Sequence, residues 1–141
     1  MALLASLQFG DNDNRIYSKE YLVSDVRCHI SRSYNKHYAD GRALCERLEF
    51  TVIAPGKEDL TLFDWYISRS TMSGRIVITM SNETNFGVDD HKEILFEDAT
   101  CFRLAENYDI DAGRRTMTLS INPRLLTIDN INFKTETNLH G

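Results

Sequence analysis

Cysteine is scarce and poorly placed for cross-linking or metal binding. The chain has three, Cys28, Cys45 and Cys101, widely spaced and odd in number. No Cys-x-x-Cys pair or Cys/His ligand spacing occurs, which argues against a zinc site. Each sits in a strand-like apolar pattern and reads as a small buried hydrophobe. Positive charge is also short: 16 Lys and Arg stand against 21 Asp and Glu, a net charge of −5. That balance argues against nucleic acid as a partner, since non-specific binding rests on neutralising phosphates. It argues equally against adhesion to an anionic membrane surface. No apolar run approaches the ~20 residues of a membrane-spanning helix, so membrane insertion is not expected. The apolar start, Met1 to Gly10, has no positive residue ahead of it and is broken by Ser6 and Gln8. It reads as a first strand rather than a signal peptide. The expectation is a cytoplasmic protein that, if exported, leaves by a route needing no N-terminal signal.

A reaction centre is the next absence. His29, His37, His91 and His140 are far apart along the chain. Asp89-Asp90 lacks the further oxygen ligands of a calcium loop. Pro55-Gly56-Lys57 lacks the upstream glycine and downstream Ser or Thr of a phosphate loop. Asp64, beside Trp65, reads as a helix-surface carboxylate. No catalytic residue, cofactor or metal ligand is assigned, and a non-enzymatic role is expected.

What the chain does have is alternation. The 141 residues suit one domain, 1–141, with a frayed tail over 134–141. Leu3, Ala5, Leu7 and Phe9 alternate as a strand, and Gly10 to Asn14 is a turn cluster. Ile16-Tyr17 begins a short second strand. From Leu22 the period is two again, with Leu22, Val26, Cys28 and Ile30 on one face and Asp25, Arg27, His29 and Ser31 on the other. Arg32 to Gly41 is polar and aromatic and ends in Asp-Gly, a long loop or an extended hairpin tip. Leu44, Leu48, Phe50 and Val52 mark another long strand, stopped at Ala54-Pro55-Gly56.

A single helix is predicted over Lys57 to Ser70, with Leu60, Phe63 and Ile67 on its apolar face and Gly74 as the breaker after it. Further strands are expected over Arg75 to Met80, His91 to Phe96, Thr100 to Ala105, Arg115 to Ile121 and Leu125 to Phe133. Eight or so strands with one helix fit a closed or nearly closed barrel, or a sandwich of two packed antiparallel sheets.

Charge is unevenly spread. Arg27, Arg32, Lys36 and Arg42 cluster against Asp40, while Glu83, Asp89, Asp90, Glu93, Glu97 and Asp98 cluster against Lys92. A basic end and an acidic end would allow head-to-tail contact between copies, which yields rings or filaments.

These elements, in this order, resemble the Hcp (TssD) family, the tube protein of the bacterial type VI secretion system. The matching residues run from the Leu3 to Phe9 strand through the Cys28–Gly41–Arg42 hairpin to Leu62-Phe63-Asp64-Trp65. They continue through Gly74-Arg75-Ile76, Leu95 to Ala99 and Tyr108, ending with Met117 to Pro123. The resemblance implies a β-barrel with one flanking helix, assembled as a homohexameric ring. It implies rings stacked into a hollow tube inside a contractile sheath, expelled with a spike, and able to carry effector proteins in the lumen. It implies no catalysis and no cofactor. Contact with a neighbouring subunit or ring is expected at Arg32, Tyr34, Lys36, His37 and Tyr38, where tyrosines offer contact area with polar tips. Asp89, Asp90 and Glu93 are the expected partner surface. The alternative reading is a monomeric small β-barrel that binds an apolar ligand in its interior.

Overall fold

A computed structural model describes the backbone of residues 2–34, 39–56, 58–81, 89–129 and 131–134, and the side chains of 4–30, 47–56, 58–79 and 91–129. The strands are β1 (Ala2–Asp11), β2 (Ile16–Tyr34), β3 (Ala39–Ile53), β4 (Thr71–Ser81), β5 (Asp89–Asp109), β6 (Arg114–Asn122), β7 (Leu125–Ile128) and β8 (Ile131–Lys134). The helix α1 spans Thr61–Ser68, between β3 and β4.

Antiparallel ladders join β2 to β1, β1 to β4, β4 to β5, β5 to β6, β6 to β3 and β3 back to β2. The circuit closes on itself, as the expected barrel requires. It is not a plain barrel. The β7–β8 hairpin is let in between β5 and β3, antiparallel to β5 and touching β3 in parallel at Leu44 and Lys134. Closure of this kind removes free edges that would otherwise invite uncontrolled pairing.

Period-two alternation supplies the core. Leu7 and Phe9, Tyr21 and Val23, Leu48, Phe50 and Val52, Ile94 and Phe96, and Met117, Leu119 and Ile121 are all buried. Irregularities in the ladders re-aim the rest. Val23 pairs with Val52 but Asp25 with Thr51, so Ser24 is an extra residue in β2. A bulge of one residue exchanges the two faces of a strand beyond it. Tyr21 and Val23 therefore point inward before Ser24, and Val26 and Cys28 pack on the core after it. Leu22, expected on the face of Val26 and Cys28, is instead 63% exposed.

Strand β5 is continuous through the two segments expected as separate strands. It bends where Glu97 and Asp98 together face Ser73: Gly74 pairs with Phe96 and Met72 with Ala99. Asp98 takes a left-handed φ of 48°, a conformation Asp tolerates better than most residues. Its amide donates to Ser73 Oγ at 3.0 Å, and Arg124 Nε donates to its Oδ2 at 2.9 Å. Before the bend β5 pairs with β7; after it, with β6. The expected single strand over Leu125 to Phe133 is likewise two, β7 and β8, paired as a hairpin.

The helix is shorter than expected and turned differently. Asp59 Oδ1 accepts the Thr61 amide at 3.0 Å and starts it. Arg69, at a left-handed φ of 58°, ends it. Two turns present only a narrow stripe, and that stripe is Leu62 and Trp65, with Phe63 partly covered. Leu60 and Ile67, expected on the buried face, are exposed.

Trp65 docks the helix. Its ring stacks on Phe96 with centroids 6.3 Å apart and meets Phe9 edge-on at 5.3 Å, while Nε1 donates to the Ala99 carbonyl at 2.9 Å. Gly74, expected as a helix breaker, lies inside β4. A Cβ there would stand 2.2 Å from the Gln8 carbonyl oxygen, so only glycine lets β1 approach this closely.

Asp59 ties the helix start to β2. Tyr21 donates its hydroxyl to Oδ2 at 2.8 Å, and Lys19 Nζ lies 3.2 Å from Oδ1. Burial acts to raise this carboxyl, but hydrogen bonds from Thr61, then Tyr21 and Lys19, outweigh it and hold the group well below the usual carboxylate range. Burial pushes the Tyr21 phenol up to about 12, which keeps it a donor.

Trp65→Ala is expected to lower stability by about 3–5 kcal/mol, the loss typical of a buried tryptophan. Trp65→Phe, which removes the indole bond to the Ala99 carbonyl, should cost about 1–3 kcal/mol. Urea unfolding followed by circular dichroism measures both, since the chain has no second tryptophan to report fluorescence. A carboxyl depressed by folding contributes stability that is complete above its unfolded pKa of about 3.9 and lost as pH falls toward the folded value. The stability gap between wild type and Asp59→Asn should therefore narrow below about pH 4. A gap that stays constant down to about pH 2.5 would show that Asp59 carries no such linkage.

Candidate functional site

The expected contact loop is mostly strand. Residues 29–34 of β2 pair with 39–47 of β3, beyond the part of β3, Leu48 to Ile53, that is also laddered to β6. The result is an arm of β2 and β3, touched by β8 only at Leu44. Arg32 pairs with Ala43 and Tyr34 with Ala39 in its backbone ladder. Lys36, His37 and Tyr38 lie outside the described residues. Asp89 and Asp90 open β5, opposite Ser81 and Met80 of β4.

The registers relate the two groups. Ala5 pairs with both Val23 and Ile78, and Ala2 pairs with Ser81. Along β2–β1–β4–β5, the arm and the Asp89–Asp90 start of β5 therefore leave in the same strand direction. This corrects the expectation of a basic end and a separate acidic end.

Much of the acidic run is engaged within the chain. Glu93 Oε2 accepts from Arg15 and from Arg75, each at 2.6 Å. Arg75 also donates to Gln8 Oε1 at 2.8 Å and lies 4.1 Å over the Tyr17 ring. Asp98 holds Arg124, and Glu97 Oε1 accepts from Asn12 at 3.1 Å. Asn12 is the unexpected member. It falls in the turn cluster after β1, yet it is buried. Its Nδ2 also donates to the carbonyls of Gly74 at 2.9 Å and Phe96 at 3.1 Å, and its Oδ1 accepts from Tyr17 at 2.7 Å. A turn-type residue thus clamps the β1–β2 turn onto β4 and β5. Sequence pattern marks Asn12 as a turn former and gives no sign of this.

Exposed apolar side chains gather in two places. Tyr66 and Ile67 of α1 and Phe102 of β5 surround a cavity of about 530 Å³, lined also by Arg69, Thr100 and Cys101. Phe102 is the extra residue of a bulge, since Cys101 pairs with Ile121 and Arg103 with Ser120. Tyr108 and Ile110 stand out at the β5–β6 hairpin. Cys101 is buried, its thiol pushed up to about 11 by burial and donating to the Arg103 carbonyl at 3.3 Å, so it is no nucleophile. Among the described residues no three His, Cys, Asp or Glu side chains gather as metal ligands, and no helix is long and apolar enough to cross a membrane.

Because Glu93 serves two arginines, Glu93→Ala should lower the thermal stability of the subunit itself by about 1–3 kcal/mol, independent of any assembly. Thermal unfolding under dilute conditions checks this. An unchanged midpoint would mean the pairs are too solvated to contribute.

The family model for hemolysin coregulated protein Hcp (TssD) matches residues 1–136. No curated protein matches the chain by sequence. The fold is similar to Hcp1 of Flavobacterium johnsoniae, with a TM-score of 0.67 at 18% identity, covering 94% of this chain and 99% of that one. It is similar to Hcp1 of E. coli EAEC 042 at a TM-score of 0.63 and 11% identity, covering 92% and 94%. Hcp1 of Salmonella typhimurium gives 0.60 and 16%, covering 91% and 86%.

Proposed function

This chain belongs to the Hcp (TssD) family, the tube proteins of type VI secretion systems, and we propose that it builds such a tube as a homohexameric ring. Rings stack into a hollow cylinder within a contractile sheath, are expelled with the spike, and carry effector proteins in the lumen. The protein assembles in the cytoplasm and is then secreted. Its role is structural, without a catalysed reaction. The observation that carries this reading is the family match across nearly the whole chain. The closed, side-chain-filled barrel supports it too, since Phe9, Phe50, Trp65 and Phe96 occupy the interior that the ligand-binding alternative would keep for an apolar guest.

Neighbouring copies meet through the arm, at Arg32, Tyr34, Lys36, His37 and Tyr38, against Asp89, Asp90 and Glu93. Because arm and acidic residues leave the barrel in the same strand direction, contact between copies within one ring suits them better than contact between stacked rings. Glu93 is already held by Arg15 and Arg75, so Asp89 and Asp90 supply most of the charge.

Light scattering after gel filtration should give a mass of about six times the 16.2 kDa chain. Tyr38→Ala or Lys36→Glu should weaken assembly while circular dichroism stays that of wild type. Assembly held by exposed charges should also weaken above physiological salt, where screening acts beyond about 8 Å. A monomer at every concentration would overturn the ring, and full assembly of both variants would overturn the arm assignment.

A further inference from the structure

Ile110 is 89% exposed, the highest value among the large apolar residues described. It sits at the tip of the β5–β6 hairpin in a turn that is built, not loose. The Gly113 amide donates to the Ile110 carbonyl at 3.3 Å, the Ala112 amide donates to Asp109 Oδ1 at 3.1 Å, and Gly113 takes the left-handed φ of 64° that the turn needs. Tyr108, near the end of β5, lies two residues earlier and is 66% exposed. Asp109 and Asp111 flank Ile110, and neither forms an ion pair among the described residues. Arg114, opposite Asp109 in the ladder, offsets one of the two charges.

The cavity beside α1 has the converse features. It is concave where the hairpin is convex, and its walls Tyr66, Ile67 and Phe102 are apolar and exposed. Arg69 lines it, Arg103 follows Phe102, and neither makes an ion pair among the described residues. Strand β5 links the two, carrying Phe102 within it and leading into the Ile110 turn. Phe102 and Ile110 are eight residues apart, or about 26 Å at a strand's rise of ~3.3 Å per residue. A continuous strand holds them apart, so one copy cannot seat its own hairpin in its own cavity.

We propose that the Ile110 hairpin of one copy docks into the Tyr66–Ile67–Phe102 cavity of a second copy, with Asp109 and Asp111 facing Arg69 and Arg103. The occupant is a second copy because the same chain carries the complementary shape and the complementary charge. Such a contact is heterologous: every copy gives one hairpin and receives another, so it propagates around a ring or along a stack. The inference rests on the self-assembly proposed above, and it adds an interface distant in sequence from the arm.

The test is the subunit concentration at half-assembly, read by light scattering, for wild type, Ile110→Ser, Asp111→Arg, Arg69→Asp and the double variant Asp111→Arg/Arg69→Asp. Asp is suited to the left-handed backbone of Arg69, and Ile110 and Asp111 are exposed, so the thermal midpoint of the dilute subunit should match wild type in each. Ile110→Ser and each single reversal should raise the half-assembly concentration by about tenfold or more. The double variant should recover most of that loss. If wild type assembles and all the variants assemble equally well, docking at this cavity is overturned while the ring reading stands. If the single reversals weaken assembly and the double variant does not recover, the pairing of hairpin with cavity is overturned. If wild type is monomeric at every concentration, both this contact and the ring reading fall.

Discussion

Everything in this molecule depends on the bend in β5. A strand of this length, run straight, would leave the sheet open at one side. By placing Glu97 and Asp98 opposite the single residue Ser73, the chain turns β5 so that one half pairs with β7 and the other with β6. That turn lets β6 reach β3 and the circuit close. It also brings the Ala99 carbonyl under the Trp65 indole, so the helix docks where the strand bends. A left-handed Asp98 costs conformational energy, and the Ser73 and Arg124 contacts offset it.

The framework was legible because alternation is a direct imprint of a half-buried strand. Leu7 and Phe9, Leu48 to Val52, and Met117 to Ile121 announce both strand and inward face. The errors share one physical origin. A ladder irregularity shifts the meaning of parity without altering composition, so Leu22 could not be told from Val26 by period alone. Ile67 was misplaced for a related reason. Its spacing from Leu60 and Phe63 describes a longer helix, whereas the Asp59 bond to the Thr61 amide and the left-handed Arg69 bound two turns whose buried stripe is Leu62 and Trp65. Asn12 was illegible because a buried asparagine and a solvated turn asparagine look the same until the partners, 62 and 84 residues away, are in place.

As for the candidate site, the sequence pointed to an arm and to charge but not to shape. The arm region was recognised as aromatic and basic; its direction relative to Asp89 and Asp90 needed the registers. The apolar cavity escaped because its walls come from a helix position expected to be buried and from the extra residue of a bulge. Surfaces of this kind, rather than a cluster of titratable groups, are what a tube-forming subunit has to offer.

Closing the circuit has a cost in time. The hairpins β2–β3 and β5–β6 join neighbours in the chain and can form early. The ladders that seal the barrel cannot: Leu7 must find Ile76, and Phe50 must find Leu119. Each demands that a loop of roughly seventy residues be gathered before any pairing repays the lost entropy. The fold is therefore one of high contact order, a class that folds in milliseconds to seconds rather than microseconds. For that interval one edge of β1 and one edge of β3 wait for strands made much later in synthesis.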